Sequence, residues 1–229
     1  MSFPRLQLIA TLSVSLLLIL TACTPAATSR PSVPQATGDT GPDAHGYYPH
    51  QSGLTWTYLR EDDTVSTPDY TRSILGHSIL GGERVVRERM HGPTLDTIYF
   101  RRYSDNGVFL HRIEHPGATI TYDPPLQEFP APGQIRPDAS WSGTSTETIT
   151  YEKAARTSVN ELEYTFMVLE QRDATVPAGT FPTYTIEFTT NKAGETSSQQ
   201  LWFSPYYGTI RTPDDLVLAG GNILAPRRE

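Results

Sequence analysis

His111-Arg112-Ile113-Glu114-His115 is the run whose residue types come nearest to metal chemistry. It fits H-x-x-E-H, a zinc-binding helix pattern in which two histidines one turn apart share an ion beside a glutamate base. That chemistry needs a helix. Here Asn106-Gly107 and an apolar run come before it and Pro116-Gly117 follow, so it reads as a strand ending in a turn. Four residues of strand span ~13 Å, too far for two ligands that must each lie ~2 Å from one ion. A hydrolase or metalloenzyme using His111 and His115 is therefore the least favoured reading. The other histidines, His45, His50, His77 and His91, have no partner at ligand spacing. Gly76-His77-Ser78-Ile79-Leu80-Gly81 approaches the G-x-S-x-G nucleophile turn, but Leu80 stands where the second glycine is needed and no strand-turn-helix context surrounds it. Glu61-Asp62-Asp63 lacks the spaced oxygens of a calcium loop and reads as a solvated turn. There is no Gly-rich phosphate loop. The expectation is a protein that is not an enzyme, with no catalytic residue, metal or cofactor.

One residue remains to which a specific chemical role can be given. Cys23 is the single cysteine, so no internal disulfide can form. It follows an apolar run, Leu8 to Leu20, interrupted by Thr11, Ser13 and Ser15 and preceded by Arg5. The run is short of the ~20 apolar residues of a spanning helix. A positive start, a short core and a small-residue exit instead fit a secretory signal. Leu20-Thr21-Ala22-Cys23 resembles the lipobox of bacterial lipoproteins at every position. The resemblance implies that signal peptidase recognises Leu20, Thr21 and Ala22, cuts before Cys23, and leaves that residue as the attachment point for acyl chains such as palmitate. It implies a lipid-anchored, extracytoplasmic place in the cell envelope. Thr24, where an aspartate would retain the protein at an inner membrane, points to the outer membrane or cell surface.

Charge bears on partners. The formal net charge is −7, and about −8 once Arg5 leaves with the leader. An acidic chain is a poor partner for nucleic acid and for bare anionic lipid. Attachment to the membrane would then come from the acyl chains, at ~0.8 kcal/mol per buried methylene, and two chains hold where one holds marginally.

The elements behind the anchor divide simply. Residues 1–22 are the signal peptide. Residues 23–46, rich in Pro, Thr, Ser, Gly and Ala, contain almost nothing to bury and read as a disordered tether spanning roughly 25–30 Å. Residues 47–229 form one β-rich domain. Tyr184, Ile186 and Phe188 alternate with Thr185, Glu187 and Thr189, and Leu162, Tyr164, Phe166 and Val168 alternate with Glu163 and Thr165, the period of a half-buried strand. Ile149 and Tyr151 alternate with Thr148 and Thr150. Further strands are expected around residues 54–60, 70–75, 84–90, 97–103, 108–114, 118–122, 199–203 and 208–211. Asp105-Asn106-Gly107 is a tight hairpin signal. Gly81-Gly82 and Asn191-Lys192-Ala193-Gly194 read as looser turns. Residues 152–160 read as a short helix, and the five prolines from Pro124 to Pro137 as an extended loop. The fold class is mainly β: an antiparallel meander curled into a half-barrel or barrel, with few or no helices, since so many short strands must close to protect their edges.

Three motifs in order carry a family resemblance: Tyr47-Tyr48-Pro49-x-x-x-Gly53-x-x-Trp56-x-Tyr58, Val176-Pro177-Ala178-Gly179-Thr180-Phe181, and Trp202-Phe203-Ser204-Pro205-x-x-Gly208-x-Ile210-Arg211. Together they resemble the TapB-like group of bacterial lipoproteins and secreted proteins. The resemblance implies a curved antiparallel sheet or half-barrel and supplies no catalytic residue. The third motif departs from the group at Tyr206 or Tyr207, where a smaller residue is usual.

Tyr is the commonest aromatic, with twelve copies. Aromatics in β domains are mostly core. A subset drawn from Tyr99, Phe100, Tyr103, Trp202, Phe203, Tyr206 and Tyr207 would line any pocket that a curled sheet encloses. The expected partners are the membrane, a lipid or hydrophobic ligand and an envelope protein, with no nucleic acid. The alternative is a structural or assembly protein of the envelope. The two separate on the core: an apolar cavity of several hundred Å³ favours binding, a filled core favours a surface role.

Overall fold

The computed structural model describes residues 46–61 and 68–224. Cys23, the Leu20, Thr21 and Ala22 before it, His45, Asp62 and Asp63 lie outside the described residues, as do the assigned signal peptide and the tether up to residue 45.

Period-two alternation becomes twelve antiparallel strands: β1 (Thr55–Arg60), β2 (Tyr70–Leu80), β3 (Glu83–Gly92), β4 (Leu95–Ser104), β5 (Gly107–His115), β6 (Ala118–Phe129), β7 (Ser140–Tyr151), β8 (Arg156–Val176), β9 (Gly179–Lys192), β10 (Glu195–Ser204), β11 (Gly208–Arg211) and β12 (Leu216–Gly220). Each pairs with its sequence neighbour, and β1 pairs with β12, so the meander closes into a barrel. Closure removes the two free edges that an open meander would present. The hairpins are tight: Leu80 faces Glu83, Ser104 faces Gly107, Lys192 faces Glu195, and Val176 faces Gly179. The turns at Gly81-Gly82 and Ala193-Gly194 are thus two-residue turns, tighter than their sequences suggested, with Gly194 at φ 86.

Three expectations are corrected. Residues 152–160 hold no helix: a turn leads at Arg156 into β8, which pairs residue by residue with β7 from Arg156 onward. The proline-rich stretch is not wholly a loop, because β6 runs through Pro124 and Pro125 to Phe129. Proline lacks the N–H a ladder needs, and pairing with β7 stops at Asp123, while the β5 register jumps from Thr121 to Leu126. Side chains bridge the splayed region: the Gln127 N–H donates to the Tyr164 hydroxyl (3.1 Å), and the Trp141 indole donates to the Gln127 carbonyl (3.1 Å). Tyr164 reaches there by crossing Gly143, where a Cβ would lie 2.5 Å from its oxygen. Finally, β12 was not anticipated. Leu216, Val217 and Leu218 are all buried, so the run shows no alternation. The β8–β9 hairpin tip packs into the same apolar cluster, with Val176 and Phe181 beside Leu218, and the Ala178 N–H donates to the Leu218 carbonyl (3.1 Å).

The three sequence motifs converge on one end of the barrel. The Tyr206 N–H donates to the Tyr47 carbonyl (3.1 Å), the Trp56 indole to the Tyr207 carbonyl (2.6 Å), and Phe181 meets the Tyr207 ring edge-on at 5.1 Å. Tyr48 packs on Phe129 and Phe203, and its hydroxyl donates to the Pro130 carbonyl (2.7 Å). Residues 47–50 and these rings close that end.

Candidate functional site

Inside the barrel is a cavity of about 520 Å³. At the closed end it is bounded by buried Tyr48, Val108 and Phe203. At the other, the hairpin ends around Leu95, His115 and Pro213 supply its rim, with the exposed Gln199 and Asp214. Among the described residues, its mouth therefore lies at the end opposite residues 47–50.

Two walls of different chemistry face each other. On β8–β10 the lining is Phe166, Phe188, Leu201 and Phe203. Phe166 is stacked between Trp141 (5.3 Å) and Phe188 (4.4 Å), which fixes its ring plane. On β2, β3 and β4 the lining includes Arg72, Glu88, Arg101 and Tyr103, with Met90, Leu95 and Tyr99 nearer the rim. In the ring of twelve strands, β3 and β9 lie six places apart, so the walls oppose. Between them β5 and β6 contribute Leu110, Ile113, Leu126 and Glu128.

The polar wall is one ion network. Glu88 is fully buried and accepts from Arg72 (Nε 2.8 Å, Nη2 2.5 Å) and from Arg101 (Nη1 3.2 Å). The Tyr103 hydroxyl also donates to it. Arg101 makes a second, bidentate pair with Glu128 at 2.5 and 2.9 Å. The guanidinium of Arg72 lies 4.6 Å from the Trp56 ring centre and that of Arg101 4.3 Å from the Tyr99 ring centre. Burial alone would raise the Glu88 carboxyl, but the charges of Arg101 and Arg72 and the hydrogen bonds from Tyr103 and Arg72 bring it down to about 2. Burial would lower Arg101, yet Glu128 and Glu88 hold it well above its ordinary value. Burial beside Glu88 pushes the Tyr103 hydroxyl well up, so it stays a donor. Two cations and two carboxylates thus form a fixed, neutral, water-poor patch.

Nearer the mouth stand single polar groups. His115 bonds Thr97 (Nδ1 to Oγ1, 2.9 Å). Tyr99 and Tyr122 line the cavity, each with its hydroxyl pushed up, chiefly by burial. Neither hydroxyl has a hydrogen-bond partner among the described residues.

H-x-x-E-H lies on β5, a strand as expected. A bulge between Leu110 and Arg112 takes up His111 and resets the alternation, so that Leu110 and then Ile113 and His115 face the cavity. His111 is not in the lining and lies 3.4 Å from Glu83. The two histidines therefore share no ion between them, and among the described residues no three His, Cys, Asp or Glu side chains cluster as metal ligands. Ser78 lies within β2, opposite Val85. Of the aromatics put forward from sequence, Tyr99, Tyr103 and Phe203 line the cavity. Phe100 does not, and Trp202 lies under Arg172 (4.5 Å) and Arg211 (5.4 Å). Tyr206 and Tyr207 are exposed.

Sequence reading missed the ion network, although it left a signal. In Tyr70-x-Arg72-x-Ile74, Val86-x-Glu88-x-Met90, Tyr99-x-Arg101-x-Tyr103 and Leu126-x-Glu128, a charge occupies the inward register of an otherwise apolar face. One such charge is an exception. Four with two of each sign mark a buried network.

No family model matches the chain, and no curated protein matches it. The TapB-like resemblance therefore rests on the three motifs alone. Among solved structures, the crystal structure of a "putative lipoprotein" from Parabacteroides distasonis is similar, with a TM-score of 0.41 and 16% identity over 79% of this chain and 100% of that one.

Proposed function

We propose that this protein is a lipid-anchored, non-enzymatic binding protein of the bacterial envelope that holds a hydrophobic molecule inside its barrel. The cavity carries this reading. It falls within the ~300–1,000 Å³ range of small-molecule sites, and its apolar wall and few converging polar groups fit such a site. The anchor rests on Leu20-Thr21-Ala22-Cys23. Through Cys23 acylation the barrel would be held at a membrane surface, where apolar molecules are concentrated.

Native mass spectrometry of the protein released from its own membrane tests the first half. A co-purifying apolar molecule, lost when Leu126→Trp fills the cavity, is the expected result. A bound molecule that survives Leu126→Trp in a folded protein, or none at all, overturns it. For the anchor, Cys23→Ser is expected to leave the protein unacylated and out of the membrane fraction. A variant still processed and membrane-bound would show that Cys23 is not the attachment point.

A further inference from the structure

The cavity wall has a property that its apolar content alone would not give. Its cations are already committed. Arg101 spends Nε and Nη2 on Glu128 and Nη1 on Glu88, while Arg72 spends Nε and Nη2 on Glu88 and points Nη1 at Thr209. The deep charges balance, two against two. Among the described residues, the further charged group at the rim is Asp214, an acid. An entering carboxylate or phosphate would thus leave water, meet no unpaired arginine or lysine and face an added negative charge. Burying an ion without a partner costs far more than burying a hydrogen-bonded hydroxyl. An entering ammonium fares little better: Glu88 is saturated by Arg72, Arg101 and Tyr103, the spare lone pairs of Glu128 belong to a carboxylate whose charge Arg101 already balances, and Asp214 is exposed to solvent.

What the cavity does offer is neutral hydrogen bonding. The Tyr99 and Tyr122 hydroxyls both donate and accept, and burial keeps them protonated. Glu128 has acceptor capacity beyond the two bonds from Arg101, and the Gln199 amide sits at the rim. A single hydroxyl can satisfy either kind of group. We infer, building on the reading of the cavity as a ligand site, that this cavity selects an uncharged apolar molecule bearing a hydroxyl over its carboxylate or ammonium counterpart. The apolar part would lie along Phe166, Phe188 and Leu201, and the hydroxyl would meet Tyr99, Tyr122 or Glu128.

Calorimetric titration separates this from the broader reading. The full chain in lipid nanodiscs is titrated at neutral pH with 1-decanol, decanoate and decylammonium, with empty nanodiscs subtracted. Decanol is expected to bind tighter than either ion by about ten-fold or more. Glu128→Gln, which leaves Arg101 with surplus charge, is expected to narrow the gap between decanol and decanoate; circular dichroism checks its fold. Asp214→Asn, at an exposed rim position, is expected to narrow it less. Decanoate or decylammonium binding as tightly as decanol would overturn the selectivity and leave the ligand site standing. No binding by any of the three would remove both.

Discussion

The two walls of the cavity are built on the same backbone and held by opposite physics. On β8–β10, Phe166, Phe188 and Leu201 follow the inward register and gain stability by leaving water. On β2–β4, Arg72, Glu88 and Arg101 occupy the same register and gain it from each other, against the cost of desolvation. The apolar wall tolerates imperfect filling, since it lines a cavity already. The charged wall does not tolerate the loss of a partner, because what is left behind is a buried ion. The β3–β4 pair repeats the contrast across its own thickness. Glu88 and Arg101 face inward, while Arg89 and Asp96 form a bridge at 2.8 Å on the outside, both substantially exposed.

The largest effect should come from breaking the charged wall. Glu88→Leu strands Arg72 and removes half the partners of Arg101, and should lower unfolding free energy by ~3–5 kcal/mol in urea titration. Adding Arg72→Met should recover much of that loss, since it removes the stranded charge. A double variant no more stable than the single one would mean that the two are not coupled. On the apolar wall, Phe166→Ala should cost ~3 kcal/mol, the low end for such a truncation, because the edge of the ring already borders the cavity. A loss as large as that of Glu88→Leu would erase the distinction between the walls.

Acid offers a graded version. The Glu88 carboxyl is lowered from 4.5 to about 2 in the fold. Its contribution is therefore complete above pH 4.5 and is lost as pH falls through about 2. Denaturation midpoints measured across that window should fall with pH in the wild type, and less steeply in Glu88→Leu with Arg72→Met. The smallest effect belongs to the outer bridge: Asp96→Asn should leave the midpoint within error, because solvent screens that pair.

Much of the fold was legible. Tyr184 to Thr190 and Leu162 to Val168 alternate cleanly because one face is core and the other is solvent. Asp105-Asn106-Gly107 turned where its chemistry requires. What was misread has local causes. Leu216 to Leu218 are covered on both faces, so β12 has no alternation to show. Pro124 and Pro125 read as loop because they cannot donate to a ladder, yet a stretch of β6 that skips its ladder can contain them. Asp105 to His115 gave the strand that excluded a zinc helix, but not the bulge at His111 that turns His115 inward.

The candidate site was legible only in parts. Tyr99, Tyr103 and Phe203 were named among aromatics of which others proved to lie outside. Each charged wall residue sits at an apolar register in its own strand, and from one strand alone it cannot be told from a bulge or an edge.

The sequence by itself determined an antiparallel, nearly all-strand domain, because side-chain alternation and turn residues act within a few positions of one another. It also determined that one residue, Cys23, carries the features of an acylation site. Only the tertiary structure decided that the strands enclose a space and that a charged wall faces an aromatic one. Arg72, Glu88, Arg101 and Glu128 become one network by register between neighbouring strands. Phe166 and Phe188 come to face them because β12 returns to β1 and closes the ring.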